Sequence, residues 1–335
     1  MKIWKKSLAL CLALLLTLSL AACGGQTETE EGQTDAGEEP YTVRVAALKG
    51  PTAMGLVKLM SDDPQSAVGP AYDFTLAASA DEVTPLLMKG DLDAACVPAN
   101  LASVLYNQTE GEMVTLAINT LGVLYIVENG NAVQSMADLK GKTIVASGKG
   151  STPEYALRYL LTENGLNPDT DVVIDWKSEH SECVSALATG AATIALLPQP
   201  FVTVAQSKIE GLRIALDLTE EWDGLDNGSA LLTGVVVARK DFVEAHPAAV
   251  ATFLDDYAQS VEWVNANTAD AAALIGDYGI VEAAVAEKAL PYCNIVCITG
   301  TEMKEKLSGY LQVLLDAQPD SVGGELPGDE FYYGA

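Results

Sequence analysis

Two stretches of this 335-residue chain each place Lys-Gly just before a proline, with hydroxyl side chains alongside. Residues 47–52 read A-L-K-G-P-T and residues 146–153 read A-S-G-K-G-S-T-P. In both, an apolar strand-like run passes through glycine into a proline-started helix pattern. Lys49 and Lys149 bring positive charge, and Thr52, Ser151 and Thr152 bring hydroxyls. Gly50, Gly148 and Gly150 allow close approach of backbone N–H groups. Pro51 and Pro153 suit the first turn of a helix, where a missing N–H costs nothing, so Thr152 is the expected N-cap with Ser151 just outside. Helix N-termini favour negative charge. The chemistry on offer is non-covalent binding of a small anionic or polar heteroaromatic solute; the alternative at each stretch is a plain cap beside a solvated lysine.

Covalent and metal chemistry find little support. No cysteine–histidine pair, G-x-S-x-G or phosphate P-loop is present. The two histidines, His180 and His246, lie outside any H-E-x-x-H or C-x-x-C context. No catalytic residue, metal or cofactor is therefore predicted. Cys96, Cys183, Cys293 and Cys297 are too scattered for a disulfide scaffold or a zinc site. They read as small buried hydrophobes, with Cys293–Cys297 pairing as the alternative.

The elements that must position these residues alternate from Tyr41 onward. Strand patterns (Y-T-V-R-V-A-A-L, Y-D-F-T-L-A-A-S, D-A-A-C-V-P, M-V-T-L-A-I-N-T) are separated by helical ones, which predicts parallel βαβ units. A second α/β set starts after G-V-L-Y-I-V-E-N, and from Pro247 the chain reads as nearly all helical. So long a chain exceeds one compact core, and two lobes are predicted: 41–122 with 236–335, and 123–235. Ligands of open α/β sheets bind at the carboxyl ends of strands. That adds Asn100, Asn119, Thr120 and Gln199, each at or just past such an end, and Trp176, for which a core or rim position is the alternative. His180, Phe201 and Trp222 fall near the same edge, and Asp91 and Asp93 read as turn and surface residues.

The first 22 residues are an export signal: Lys2, Lys5 and Lys6 precede a short apolar run. Leu20-Ala21-Ala22-Cys23 resembles the lipobox of bacterial lipoproteins, which implies cleavage before Cys23 and lipid on its sulfur. Residues 23–40 carry six acids and no base and read as a disordered tether. Loss of the signal's three lysines takes the formal charge from −27 to −30. Such acidity excludes nucleic acid as a partner.

Five stretches in order, at 88–100, 136–155, 160–166, 186–201 and 239–247, make the chain similar to the substrate-binding lipoproteins of ABC importers. The nearest branch is the nitrate, sulfonate, taurine and thiamine-precursor group. The carrying motifs are M-K-G-D-L-D-A-A-C-V-P-A-N, M-A-D-L-K-G-K-T-I-V-A-S-G-K-G-S-T-P-E-Y, L-L-T-E-N-G-L, A-L-A-T-G-A-A-T-I-A-L-L-P-Q-P-F and R-K-D-F-V-E-A-H-P. Asp93 matches the acid frequent in the first of these, whereas Ala192-Thr193 replaces it in the fourth. The resemblance implies a type II periplasmic-binding fold, a two-lobed α/β clamshell hinged by two crossover segments. It also implies a monomer that passes a small-molecule solute to ABC permease subunits while a lipid anchor on Cys23 holds it to the membrane, outside the cytoplasm. A secreted enzyme on the same clamshell, with His180 or Lys149 as base, or a sensor subunit, are the alternatives.

Overall fold

A computed structural model describes residues 41–62 and 70–335. The signal at 1–22, the lipidation site Cys23 and the tether at 23–40 lie outside the described residues. The strands are β1 (Thr42–Leu48), β2 (Ala71–Ala77), β3 (Ala94–Pro98), β4 (Met113–Leu121), β5 (Leu124–Glu128), β6 (Thr143–Ser147), β7 (Val173–Lys177), β8 (Ile194–Pro198), β9 (Arg213–Asp217), β10 (Leu232–Arg239) and β11 (Ile295–Ile298). They form a six-stranded sheet, ordered β11-β4-β10-β3-β1-β2, and a five-stranded sheet, ordered β7-β6-β8-β5-β9. The helices that matter for the site follow their strands: α1 (Pro51–Met54), α2 (Val57–Ser61), α3 (Ala80–Lys89), α4 (Ala99–Gln108), α5 (Thr152–Glu163), α6 (His180–Ala188), α7 (Phe201–Lys208) and α8 (Leu218–Asp223).

The predicted parallel pairing holds where a helix connects the strands, as in β1–β2, β1–β3, β6–β7 and β6–β8. The sheets are nevertheless mixed. β5 runs antiparallel to β8 and β9, and β10 runs antiparallel to β3 and β4. β5 follows β4 after only two residues, so the chain passes from the first sheet into the second without an intervening helix. β5 and β10 are the strands by which the chain enters the second sheet and returns to the first. β10 begins at Leu232, so residues 232–235, assigned by sequence to the second lobe, pair in the first sheet. β11 interrupts the helical C-terminal third and edges the first sheet beside β4.

A shared core ties the sheets together. One cluster runs from Ala46 and Val97 of the first sheet to Ile144 and Leu196 of the second. Tyr310, on the helix Gly300–Ala317, is fully buried with its ring 5.6 Å from that of Trp222 on α8. Trp222 is thus core, packed also against Tyr159, and offers no aromatic surface to a ligand. The thiols of Cys96, Cys183 and Cys293 are buried, Cys297 is partly so, and none is in a disulfide.

Each sheet also buries one carboxylate. Asp93, read from sequence as a surface residue, is fully buried. It accepts from the Arg44 backbone N–H at 2.9 Å, from Arg44 Nε at 3.0 Å and from the Tyr41 hydroxyl at 3.0 Å. The glycine stop at Gly90 turns the chain so that Asp93 enters alongside β1, where Arg44 offers both main-chain and side-chain donors. Glu128 in the second sheet accepts from Ala132 N (2.9 Å), Val133 N (3.1 Å) and Arg213 Nη2 (2.5 Å). Burial raises its pKa, but these donors outweigh that and hold the carboxyl below its usual range. A depressed folded-state pKa stabilises fully above the unfolded value of about 4.3 and is lost as pH falls through the lower folded value. Glu128→Gln should therefore cost about 1–2 kcal/mol at neutral pH and flatten the loss of stability on acidification. Thermal unfolding of both proteins from neutral to mildly acid pH checks this, and equal acid slopes would contradict it.

Candidate functional site

The carboxyl edges of the two sheets face one cavity of about 500 Å³, within the range of small-molecule sites, about 300–1,000 Å³. From the first sheet come the β1–α1 segment (Leu48 to Thr52), the β2–α3 segment (Ala78 to Asp81), Pro98 and Leu101. From the second come Ser147 to Ser151, Trp176 to His180 and Pro198. Leu124 and Thr233, at the starts of the crossing strands β5 and β10, complete the wall.

Nine of the residues predicted to contact a ligand line this cavity: Lys49, Gly50, Pro51, Thr52, Gly148, Lys149, Gly150, Ser151 and Trp176. The N-cap of α5 is Ser151, one residue before the predicted Thr152, which is already helical, with Pro153 second. Gly148 and Gly150 take positive φ values of 83° and 76°. A Cβ at Gly148 would stand 3.0 Å from both Pro153 Cγ and Ser151 Oγ, so only glycine fits this turn. The turn is already hydrogen-bonded. Gly148 O accepts from Ser151 N (3.1 Å) and Ser151 Oγ (2.7 Å), and Gly150 N donates to Glu154 Oε2 (2.7 Å). Thr52 Oγ1 likewise donates to Leu48 O at 2.9 Å. The hydroxyls and the Gly150 amide are thus committed within the protein.

The lysines are not. Among the described residues neither Lys49 nor Lys149 has a carboxylate within ion-pair distance, whereas Lys177 is held by Asp175 at 2.9 Å. The acids on the wall sit at helix starts: Glu179 caps α6 in a reciprocal pair with Glu182, and Asp81 lies in the first turn of α3. Their charge faces a positive helix end. Two exposed cations on opposite segments remain available to a ligand.

Five sequence candidates lie outside the lining. Asn100 is buried in α4, where its Nδ2 donates to Ser321 O (2.9 Å) and its Oδ1 accepts from Thr152 Oγ1 (3.3 Å). Thr152 in turn accepts from the Tyr310 hydroxyl at 3.3 Å. This buried chain joins helices of the two lobes. Asn119 and Thr120 are buried on β4, and Thr120 Oγ1 donates to Asn119 Oδ1 (3.0 Å). Gln199 is buried, its Oε1 accepting from Thr203 Oγ1 at 2.9 Å and its backbone N–H bonding Val123 O at 3.0 Å. In each case the strand or helix start reaches the cleft edge, but neighbouring elements cover the side chain.

Sequence reasoning passed over Ser147 and Thr233, whereas Pro198, expected at the cleft edge, does line the cavity. Ser147 Oγ is 2.5 Å from His180 Nδ1, and the His180 ring lies 4.9 Å from that of Phe201. Burial brings the His180 pKa down to about 4, so its imidazole is neutral at physiological pH. The only signal for Thr233 was a single hydroxyl at the head of the apolar run L-L-T-G-V-V-V-A. Its neighbour Gly234 has no room for a side chain: a Cβ would lie 2.5 Å from Asn119 Oδ1 and 2.7 Å from Thr52 Cγ2. Gly234→Ala should push Thr52 and α1 toward the cavity, cost about 1–3 kcal/mol of stability and weaken solute binding. Unfolding and titration of the same sample test both effects.

The family model described as ABC transporter, phosphonate, periplasmic substrate-binding protein matches residues 62–289, more than half of the chain. Among solved structures, an ABC transporter protein from Parabacteroides distasonis has a TM-score of 0.72 at 23% identity, covering 87% of this chain and 98% of that one. The alkanesulfonate-binding protein SsuA from Xanthomonas axonopodis pv. citri, bound to MOPS, has a TM-score of 0.68 at 17% identity, covering 88% and 98%. The nitrate-binding protein NrtA from Synechocystis PCC 6803 reaches 0.56 at 15%, covering 71% and 66%. No curated protein matches the sequence. At these identities the structural likeness establishes the fold, and the family match establishes the role. The role is that of a substrate-binding component and not of an enzyme, and the chain belongs to the family of periplasmic substrate-binding proteins of phosphonate ABC transporters.

Proposed function

We propose that this protein captures a small organic oxyanion, of the phosphonate, sulfonate or carboxylate class, between Lys49 and Lys149 and releases it to its ABC permease. The observation that carries this reading is the pair of lysines, without an ion-pair partner among the described residues, on facing segments of one cavity. A solute oxygen bridging both segments binds the closed arrangement more tightly than an open one, and that difference drives closure about the crossovers. The family description, phosphonate, and the alkanesulfonate ligand class named for one neighbour agree with an oxyanion head. Lipid on Cys23 and the acidic tether hold the monomer at the outer face of the membrane, with enough slack to reach the permease.

Calorimetric titration of the chain lacking residues 1–22, with Cys23→Ser, against methylphosphonate, methanesulfonate, acetate, nitrate and neutral uracil tests the solute class. An oxyanion should bind, with affinity falling as salt rises. Binding of uracil alone, or of none of the anions, would remove the oxyanion reading. Palmitate labelling of the full chain in cells, lost in Cys23→Ser, tests the anchor.

A further inference from the structure

The cavity is much larger than its two cations require. A bare inorganic oxyanion displaces only a few waters, about 30 Å³ each, against a cavity of about 500 Å³. Beside Trp176 and His180 the wall also carries Lys177, which is held by Asp175, and Glu179, which caps α6, so both charges are engaged within the protein. Trp176 pairs in register with Ala146, and Ser147, the next residue on that strand, faces the other side of the sheet. Trp176 and the Ser147–His180 pair therefore reach the cavity from opposite faces of the second sheet, at its carboxyl edge. Pro98 and Leu101 stand on the wall from the first sheet. An indole with a free edge of surface, a neutral imidazole whose Nε2 has no partner among the described residues, and apolar walls form a compartment for an uncharged, flat group. The indole can stack on such a group, and the imidazole can hydrogen-bond a polar substituent on it.

We infer that the solute carries, beside its oxyanion, an aromatic or other planar uncharged body seated against Trp176, and that Trp176 with His180 selects this body over small alkyl or inorganic oxyanions. This inference rests on the oxyanion reading above and narrows it. A pocket holding only an alkyl sulfonate or phosphonate has no use for a ring-sized flat surface. A pocket for a neutral heteroaromatic would leave Lys49 and Lys149 without a counter-charge.

The test uses matched pairs that differ only in the body: phenylphosphonate against methylphosphonate and benzenesulfonate against methanesulfonate, titrated into the chain lacking residues 1–22 with Cys23→Ser. The phenyl member should bind at least tenfold tighter in each pair. In Trp176→Ala that ratio should fall to within threefold of one, whereas a merely structural loss would weaken both members alike and leave the ratio intact. Trp176→Phe, which preserves a ring should the alanine variant not fold, should keep part of the ratio. Equal affinities for phenyl and methyl members in the wild type overturn the inference and leave the oxyanion reading standing. A phenyl preference that survives Trp176→Ala and Trp176→Phe unchanged overturns the placement of the body. Failure of every anion to bind, or indifference of binding to Lys49→Ala with Lys149→Ala, overturns the oxyanion reading and this inference together.

Discussion

Replacing both lysines, Lys49→Ala with Lys149→Ala, should weaken binding of an oxyanion solute by about 3 kcal/mol, on the order of a hundredfold. In the proposed complex each ammonium makes a charge-assisted hydrogen bond, worth about 1.5–3 kcal/mol. Both side chains are exposed, so the lower end of that range applies. No carboxylate is ion-paired with either lysine among the described residues, so neither has to give up a partner to meet the solute. The single variants should each lose about tenfold, and the double variant should also lose most of its salt dependence. Titration with methylphosphonate or methanesulfonate at two ionic strengths checks both numbers. A double variant within threefold of the wild type would show that the head group sits elsewhere.

The second large effect concerns stability. Asp93→Ala should destabilise the first sheet by about 2–4 kcal/mol. Truncating one member of a buried pair costs about 3–5 kcal/mol, and the discount reflects the Arg44 side chain, which is about 35% exposed and regains water. What cannot be recovered is the Arg44 backbone N–H, which loses its acceptor beside β3. Asp93→Asn keeps the shape and part of the bonding and should cost less. Urea unfolding of the three proteins orders them, and an alanine variant as stable as the wild type would mean that the carboxylate contributes nothing net. Because Asp93 lies at the amino ends of the strands, away from the cavity lining, solute affinity should be untouched in samples that remain folded.

The two lysine-glycine motifs were legible because their meaning is local. Glycine, proline and a strand ending specify a turn into a helix, and a turn at the carboxyl end of an α/β strand faces the ligand edge in any such sheet. That logic brought Lys49, Lys149 and their neighbours to one cavity, although the two lysines are a hundred residues apart in the chain. It failed for Asn100, Asn119, Thr120, Thr152 and Gln199, because reaching an edge does not settle which way a side chain points. Asn100 and Thr152 turn to each other and to Tyr310, more than 150 residues further on. No local pattern encodes that meeting.

Asp93 shows the same limit from the other side. Next to a glycine stop and beside Asp91, its sequence context is that of a turn, and only the pairing of β3 with β1 brings the Arg44 donors that make burial of a carboxylate tolerable. β10 was likewise hidden: an apolar run is compatible with either lobe until its partners on both sides are known. By itself the sequence determined the α/β class, the two-lobed plan, the family and the two motifs that meet at the cleft, since these follow from periodicity, caps and ordered local patterns. Only the tertiary structure decided which polar side chains face the cavity, which carboxylates are buried and how one helix joins both lobes, because those depend on contacts between segments far apart in the chain.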